Sequence, residues 1–422
     1  MYEITTTNGV TLILAPFEGL ETASLGIFIK IGSRYEQKQL RGISHFLEHM
    51  LFKGSRCYSH RHIKQEIEGR GGSLNGFTSQ EITAYYAHFL KKNIEPTLDI
   101  LLDMVRYPTL KEEEIKKERN VILEEIKMYN DLPSSRAAAI LDTLLWPHHS
   151  LGEEVIGDTA TVTKINRTDL SRFQKTYYKP CSMVISCSGD FDLVTVSRLL
   201  RERIQKSSSH LQLKNIAPQS LQGQHVTVEA KKIEQTHLCV GFRGVSYNSK
   251  EKFTIELLNV ILGANMSSRL FEEMREKRAL CYDISSDARK YHDTGAFVIH
   301  AGLDKRNIEV ALTIILRELS RIKEQKVYEK ELNRAKDYII GQISMGLERP
   351  QGMMPYAAES YITTGKIYTL EEIKHEITNI SAAEIRDVSR KIFNFGAVCV
   401  SCVGDVEQNH QERIANILQK RR

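Results

Sequence analysis

The chain has 422 residues, 41% of them apolar and 26% charged, the proportions of a folded globular protein. At roughly 100–200 residues per domain this length holds about two to four domains. Lys+Arg 58 against Asp+Glu 53 leaves a net charge of +5, too mild to imply nucleic acid as a partner, and 9 prolines argue against a disordered chain. No apolar run reaches the roughly 18 residues of a membrane span, so no membrane partner is expected.

In chain order, MYEITTTNGVTLILAP reads as a strand, a turn at Asn8-Gly9 and a second strand. It carries neither the basic stretch nor the long apolar stretch of a signal peptide, so the expected compartment is the cytoplasm. The seven cysteines, Cys57, Cys181, Cys187, Cys239, Cys281, Cys399 and Cys402, are odd in number and scattered, unlike a disulfide framework. Cys399 and Cys402 form one C-x-x-C, but inside VCVSCV, which reads as a buried strand.

Four features recur in the same order in both halves, at offsets near 213–217 residues. Each half opens with an alternating strand, SLGIFIKIGS at 24–33 and HLCVGFRGVS at 237–246. A helical segment follows, GISHFLEHMLF at 42–52 and FTIELLNVILG at 253–263. A charged helix comes next, LKEEEIKKERNVILEEIKM at 110–128 and VYEKELNRAKDYIIGQISM at 327–345. Each half closes on a strand ending in Gly-Asp, SMVISCSGD at 182–190 and AVCVSCVGD at 397–405. Such recurrence predicts a duplicated α+β unit. The expected fold is two homologous layered α+β domains, each a mostly antiparallel sheet packed with helices. The polar stretch 206–224 marks the joint, giving domains at 1–208 and 225–422 with a linker at 209–224.

The chemistry concentrates in the first half. His45 and His49 are four apart and Glu48 three after His45, so on a helix all three share one face. Two imidazoles and a carboxylate together suit a metal ion with a base beside it, and H-x-x-E-H is the reverse of the zinc motif H-E-x-x-H. A catalytic zinc takes three protein ligands and keeps one position open. The charged helix offers Glu118 and Glu125, seven apart and on one face, with Glu125 set among apolar residues. Glu112, Glu113 and Glu114 read as solvated charges, and His60 and His62 as part of a polar, Arg-rich face.

These motifs resemble the pitrilysin/insulinase family of zinc peptidases, in its branch of mitochondrial processing peptidase and bacterial relatives. That family places a zinc-binding Glu 76 residues after the second His, and Glu125 stands there; its acidic residue seven earlier matches Glu118. The resemblance implies one Zn²⁺ per chain held by His45, His49 and Glu125, with Glu48 as general base and Glu118 orienting a ligand. The segment 71–86 resembles the family's substrate-pairing edge strand, which implies substrate contact at Leu74, Asn75, Gly76, Phe77 and Thr78; Gly76 stands where the family usually has Ala. The segment 262–282 resembles the signature of the family's second half, and implies that Arg275 and Tyr282 are catalytic residues that contact substrate, Tyr282 with Arg275 stabilising or positioning the carbonyl oxygen. Read on residue type alone, these two are a surface arginine and a core tyrosine. Glu125 aligns with Gln342, and the motif helix with LLNVIL, so the second half lacks a zinc site.

The expected function is that of a zinc metalloendopeptidase acting on unfolded peptides or presequence-like segments, as a homodimer because the family's chamber has four such domains. The alternative is a non-catalytic peptide-binding or scaffold subunit of a family heterodimer.

Overall fold

The computed structural model describes residues 2–204, 213, 216–407 and 409–421. Positions 209–212, 214 and 215 of the expected linker lie outside the described residues. The chain forms two compact units, and neither is one continuous stretch. The first comprises Met1–Lys127, Glu154–Asn215 and Met345–Ile367; the second comprises Met128–Glu153, Ile216–Ser344 and Tyr368–Arg422.

The first unit is built on a six-stranded sheet. Its strands are β1 (Glu3–Thr7), β2 (Val10–Pro16), β3 (Thr22–Ile29), β4 (Ser73–Thr78), β5 (Thr83–Leu90) and β6 (Met183–Gly189), in the spatial order β1-β2-β6-β3-β5-β4. All neighbours are antiparallel except β2 and β6. Asn8 (φ 53°) and Gly9 (φ 92°) make the tight β1–β2 turn, which needs positive φ at both central positions. The period-2 pattern then sorts side chains to two faces. Leu12, Leu25, Ile27, Tyr85 and Cys187 join the main core, beneath helices that include Ile43–Leu51 and Ile94–Arg106. Ile13, Phe28, Ala84 and Val184 face the other way and pack on Met354, Ala357 and Ala358 of the helix Pro350–Thr364. Gly26 lets that helix approach, because a Cβ there would lie 2.6 Å from Met354 Sδ.

The second unit holds a five-stranded sheet of β7 (His225–Ala230), β8 (Thr236–Gly244), β9 (Cys281–Lys290), β10 (Gly295–Leu303) and β11 (Cys399–Gly404), in the order β7-β11-β8-β10-β9. Again one pair is parallel, β7 with β11. One face is covered by the helix Pro133–Leu145, whose Ala137, Ile140 and Leu141 pack on Cys239, Val298 and Cys399. Gly241 makes the room, since a Cβ there would sit 3.0 Å from Leu141 Cδ2. Phe242, Phe297 and Phe393 interlock edge to face on the opposite side. Each unit thus covers one face of its sheet with a helix from the other half of the sequence. Cys399 and Cys402 are buried in β11, as their apolar context predicts.

Candidate metal centre

The motif helix runs Ile43–Leu51. Phe46, Leu47, Met50 and Leu51 fill the core at 0–1% exposure, which turns His45, Glu48 and His49 to the other side. Gly42 starts the helix in the left-handed region (φ 86°), and its first N–H groups have no local side-chain cap. The Glu36 carboxylate takes that role, accepting from the backbone N–H of Gly42 and of Ser44 at 2.8 Å each. An anion at a helix N-terminus is favoured by both the orphan N–H groups and the helix dipole.

The charged helix spans Glu112–Asp131 and buries Ile115, Glu118, Ile122 and Ile126. This presents Glu118 and Glu125 to the motif helix. Glu125 Oε2 lies 3.9 Å from His45 Nε2 and 3.7 Å from His49 Nε2. Ligand atoms from His45, His49 and Glu125 all fall within 4.8 Å of one another. Two imidazole nitrogens and a carboxylate oxygen are the donor chemistry of a catalytic zinc site, and donors around tetrahedral Zn²⁺ stand about 3.3–3.5 Å apart, a few tenths of an ångström closer than the two His–Glu125 distances. The residues present therefore fit the ion.

Glu118 Oε2 is 3.1 Å from His49 Nδ1, and its Oε1 is 2.5 Å from Lys53 Nζ. With Nδ1–H donated to Glu118, the His49 Nε2 lone pair is directed at Glu125. Burial alone lowers the His49 pKa, but the Glu118 hydrogen bond and the charges of Glu48 and Glu125 outweigh it and set it above its ordinary value. Burial and the neighbouring His49 lower His45 to about 3, so its imidazole is neutral; among the described residues its buried Nδ1 has no hydrogen-bond partner. Burial raises Glu118 and is outweighed by its bonds from His49 and Lys53, which hold it ionised.

Glu48 is set apart from this ligand group. Its Oε2 accepts from the Thr78 hydroxyl at 2.7 Å. Burial is the largest influence on its carboxyl and raises its pKa; Glu125 adds to this, while Thr78 and His49 oppose it. A buried carboxylate of raised basicity beside a metal-binding triad is suited to taking and returning a proton.

A cavity of about 330 Å³ opens beside Glu48 and His49, lined also by Phe52, Ile63, Leu74 and Gly76, with Lys53, His60 and Lys64 among its polar groups. His60, read from sequence as solvated, is exposed and lines this cavity. His62 is exposed, with its ring 5.4 Å from that of Tyr58.

The other candidates fall as follows. Leu74, Asn75, Gly76, Phe77 and Thr78 lie in β4, which pairs with β5 on one side and forms the edge of the first sheet. Arg275 and Tyr282 are in the second unit, the guanidinium 4.8 Å from the Tyr282 ring centroid. Tyr282 is 77% exposed, not a core tyrosine. Lys53 escaped the sequence reading, although it sits four residues after His49, one helical turn further on.

Residues 15–159 match the family described as insulinase (peptidase family M16), and residues 164–339 match the one described as peptidase M16 inactive domain. The chain belongs to the insulinase family, M16. Two members are full-length relatives. YmxG of Bacillus subtilis, named as an uncharacterized zinc protease, is 33% identical over 92% of this chain and 94% of its own. A Rickettsia bellii protein of the same description is 32% identical over 92% and 94%. The fold matches solved M16 structures. A protease from Helicobacter pylori superposes with a TM-score of 0.90 at 21% identity, covering 96% of this chain and 99% of that one. A Pseudomonas fluorescens structure titled as the M16 inactive domain gives 0.88 at 18%, covering 96% and 98%. The M16 family and its named relatives indicate a zinc protease, and the first M16 match contains the whole H-x-x-E-H and Glu125 set. Among the described residues no helix is long and apolar enough to cross a membrane.

Proposed function

We propose that this chain is a zinc metalloendopeptidase that cleaves unfolded peptides or presequence-like segments. The observation that carries the reading is the convergence of His45, His49 and Glu125 within 4.8 Å, with Glu48 on the same helix and outside the ligand group. One Zn²⁺ per chain is held by His45, His49 and Glu125. When bound, zinc supplies Lewis acidity toward the scissile carbonyl and toward water.

The rest is the work of the chain's own groups. Glu48 Oε1 takes the proton from the attacking water, while Oε2 stays tied to Thr78, and Glu48 then passes that proton to the leaving amine. Glu118 and Lys53 hold the His49 ring in one tautomer and orientation. Substrate adds to the free edge of β4 at Leu74–Thr78 through backbone hydrogen bonds, a mode that needs an extended, unfolded segment and reads side chains only at alternate positions. Arg275 and Tyr282 are assigned to substrate contact from the resemblance of segment 262–282. The working form in this proposal is a cytoplasmic homodimer, with neither nucleic acid nor membrane as partner.

The test is zinc stoichiometry together with cleavage of a quenched unstructured peptide. One zinc per chain and cleavage abolished by a chelator and restored by Zn²⁺ are expected. A chain that binds peptide without cutting it is the scaffold alternative and overturns the proposal.

A further inference from the structure

The Glu48–Thr78 hydrogen bond joins two elements, the motif helix and the hairpin that begins where β4 ends. A third element grips both. The loop Gly32–Glu36 reaches the helix through Glu36, whose carboxylate accepts from the N–H groups of Gly42 and Ser44. Two residues earlier, Arg34 reaches the hairpin. Its Nη1 donates to Glu81 Oε1 at 2.7 Å in a pair only 2% and 11% exposed. Backbone bonds from Ser33 N to Ser79 O (3.1 Å) and from Arg34 N to Gln80 O (2.8 Å) seat the loop on the same hairpin. The approach is so close that a Cβ at Gly32 would lie 2.2 Å from Ser79 O.

The duplication supplies an internal comparison. With His237 set against Ser24, Arg34 falls opposite Tyr247 and Glu36 opposite Ser249. The second unit keeps the backbone contact, Tyr247 N to Tyr291 O at 2.9 Å. Neither the arginine nor the carboxylate recurs at these two positions. Ser249 Oγ accepts from the N–H of Glu251, two residues on and just before the helix Lys252–Leu262. Arg34 and Glu36 occur only in the copy that carries Glu48.

We infer that Arg34 and Glu36 are positioning residues for the general base, clasping the motif helix and the 78–83 hairpin so that Glu48 and Thr78 stay in hydrogen-bond register. This rests on Glu48 being the base. Arg34 reaches Glu81, and Glu36 reaches Gly42 and Ser44, so the two act on catalysis through the Glu48–Thr78 geometry. Displacements near 1 Å at a reacting group cost up to about 100-fold in rate, and a loosened clasp is a displacement of that order.

The test is a double-mutant cycle on the full, zinc-loaded chain with a quenched peptide. Arg34→Met is expected to lower kcat by about 5- to 50-fold, no more than Thr78→Val itself, with zinc content unchanged, and to have less than about a 3-fold effect in the Thr78→Val background. Arg34→Lys, which keeps a cation for Glu81, is expected to recover most of the loss. Glu36→Gln is run through the same cycle with the same expectation. If Arg34→Met does not fold, Glu81→Gln replaces it, opening the same contact while leaving an oxygen for Arg34. Equal losses in the two backgrounds overturn the inference, because a merely structural effect does not depend on Thr78. Failure of the underlying assignment looks different: Glu48→Gln then retains wild-type cleavage, whatever Arg34 does.

Discussion

Thr78 Oγ1 stands 2.7 Å from Glu48 Oε2, so the last residue of the exposed edge strand is also the group that orients the buried carboxylate beside the metal-binding triad. In the proposed mechanism, binding of an extended peptide and placement of the base are thus two duties of one strand. Thr78→Val, which keeps the shape and removes the donor, is expected to lower kcat by about 5- to 50-fold with KM changed by less than about 3-fold, since an oriented general base contributes about 10²–10⁴ in all. Steady-state kinetics on one peptide check it. A loss confined to KM contradicts the role given to the hydroxyl.

Glu118 is the acceptor that fixes the His49 ring, and Lys53 holds Glu118 from the other oxygen. Glu118→Ala is expected to weaken zinc binding by about 10- to 100-fold, the usual cost of removing a group that orients a metal-ligating histidine. Lys53→Met is expected to weaken it in the same direction and by less. Competition with a chromophoric chelator reads both. Unchanged affinity in Glu118→Ala would show that His49 needs no such support.

Glu36 gives a pH signature. Its carboxyl is pushed up to about 7 by burial, against the opposing hydrogen bonds from Ser44 and Gly42. Between the ordinary value of 4.5 and about 7 the folded chain keeps a proton that the unfolded chain has released. The associated stability is fully present below about pH 4.5 and is lost as pH rises through about 7. The difference in unfolding free energy between the metal-free wild type and Glu36→Gln is expected to shrink across that window and to level off above it. Denaturant titrations at a series of pH values measure it, and a difference independent of pH contradicts the assignment.

The exchanged helices make a prediction about stability. Leu141 belongs to the first half of the sequence but is fully buried against the second unit's sheet. Leu141→Ala is expected to cost about 2–5 kcal/mol. Hydrogen exchange should then speed up in β8 and β11 before β2 and β6. The opposite order would place the helix with the wrong sheet.

Much of this was legible in the sequence because it is local. The H-x-x-E-H spacing needs only helical periodicity to align His45, Glu48 and His49, and the strands within 182–190 and 397–405 announce themselves by largely apolar segments ending in Gly-Asp. The four paired features also predicted two sheets of like design. What was not legible depends on long-range packing. Pro133–Leu145 has an apolar face and Pro350–Thr364 hardly has one, and nothing in either pattern says that each covers the sheet of the other half. Glu36 and Arg34 read as ordinary loop charges, since their partners lie at Gly42 and Ser44 and at Glu81 and become neighbours only in the fold. Tyr282 misled for the converse reason. On residue type alone it reads as a core tyrosine, yet β9 is an edge strand and the ring is exposed.

The central claim is that Glu48 is a base and not a ligand. Its most direct test is Glu48→Gln, with zinc content and peptide cleavage measured on the same sample. The amide keeps the shape and gives up the proton-accepting charge. The account predicts about one zinc per chain, as in the wild type, with cleavage lower by at least about 100-fold. Undiminished cleavage by the zinc-loaded variant would contradict it, and so would loss of the metal along with the activity.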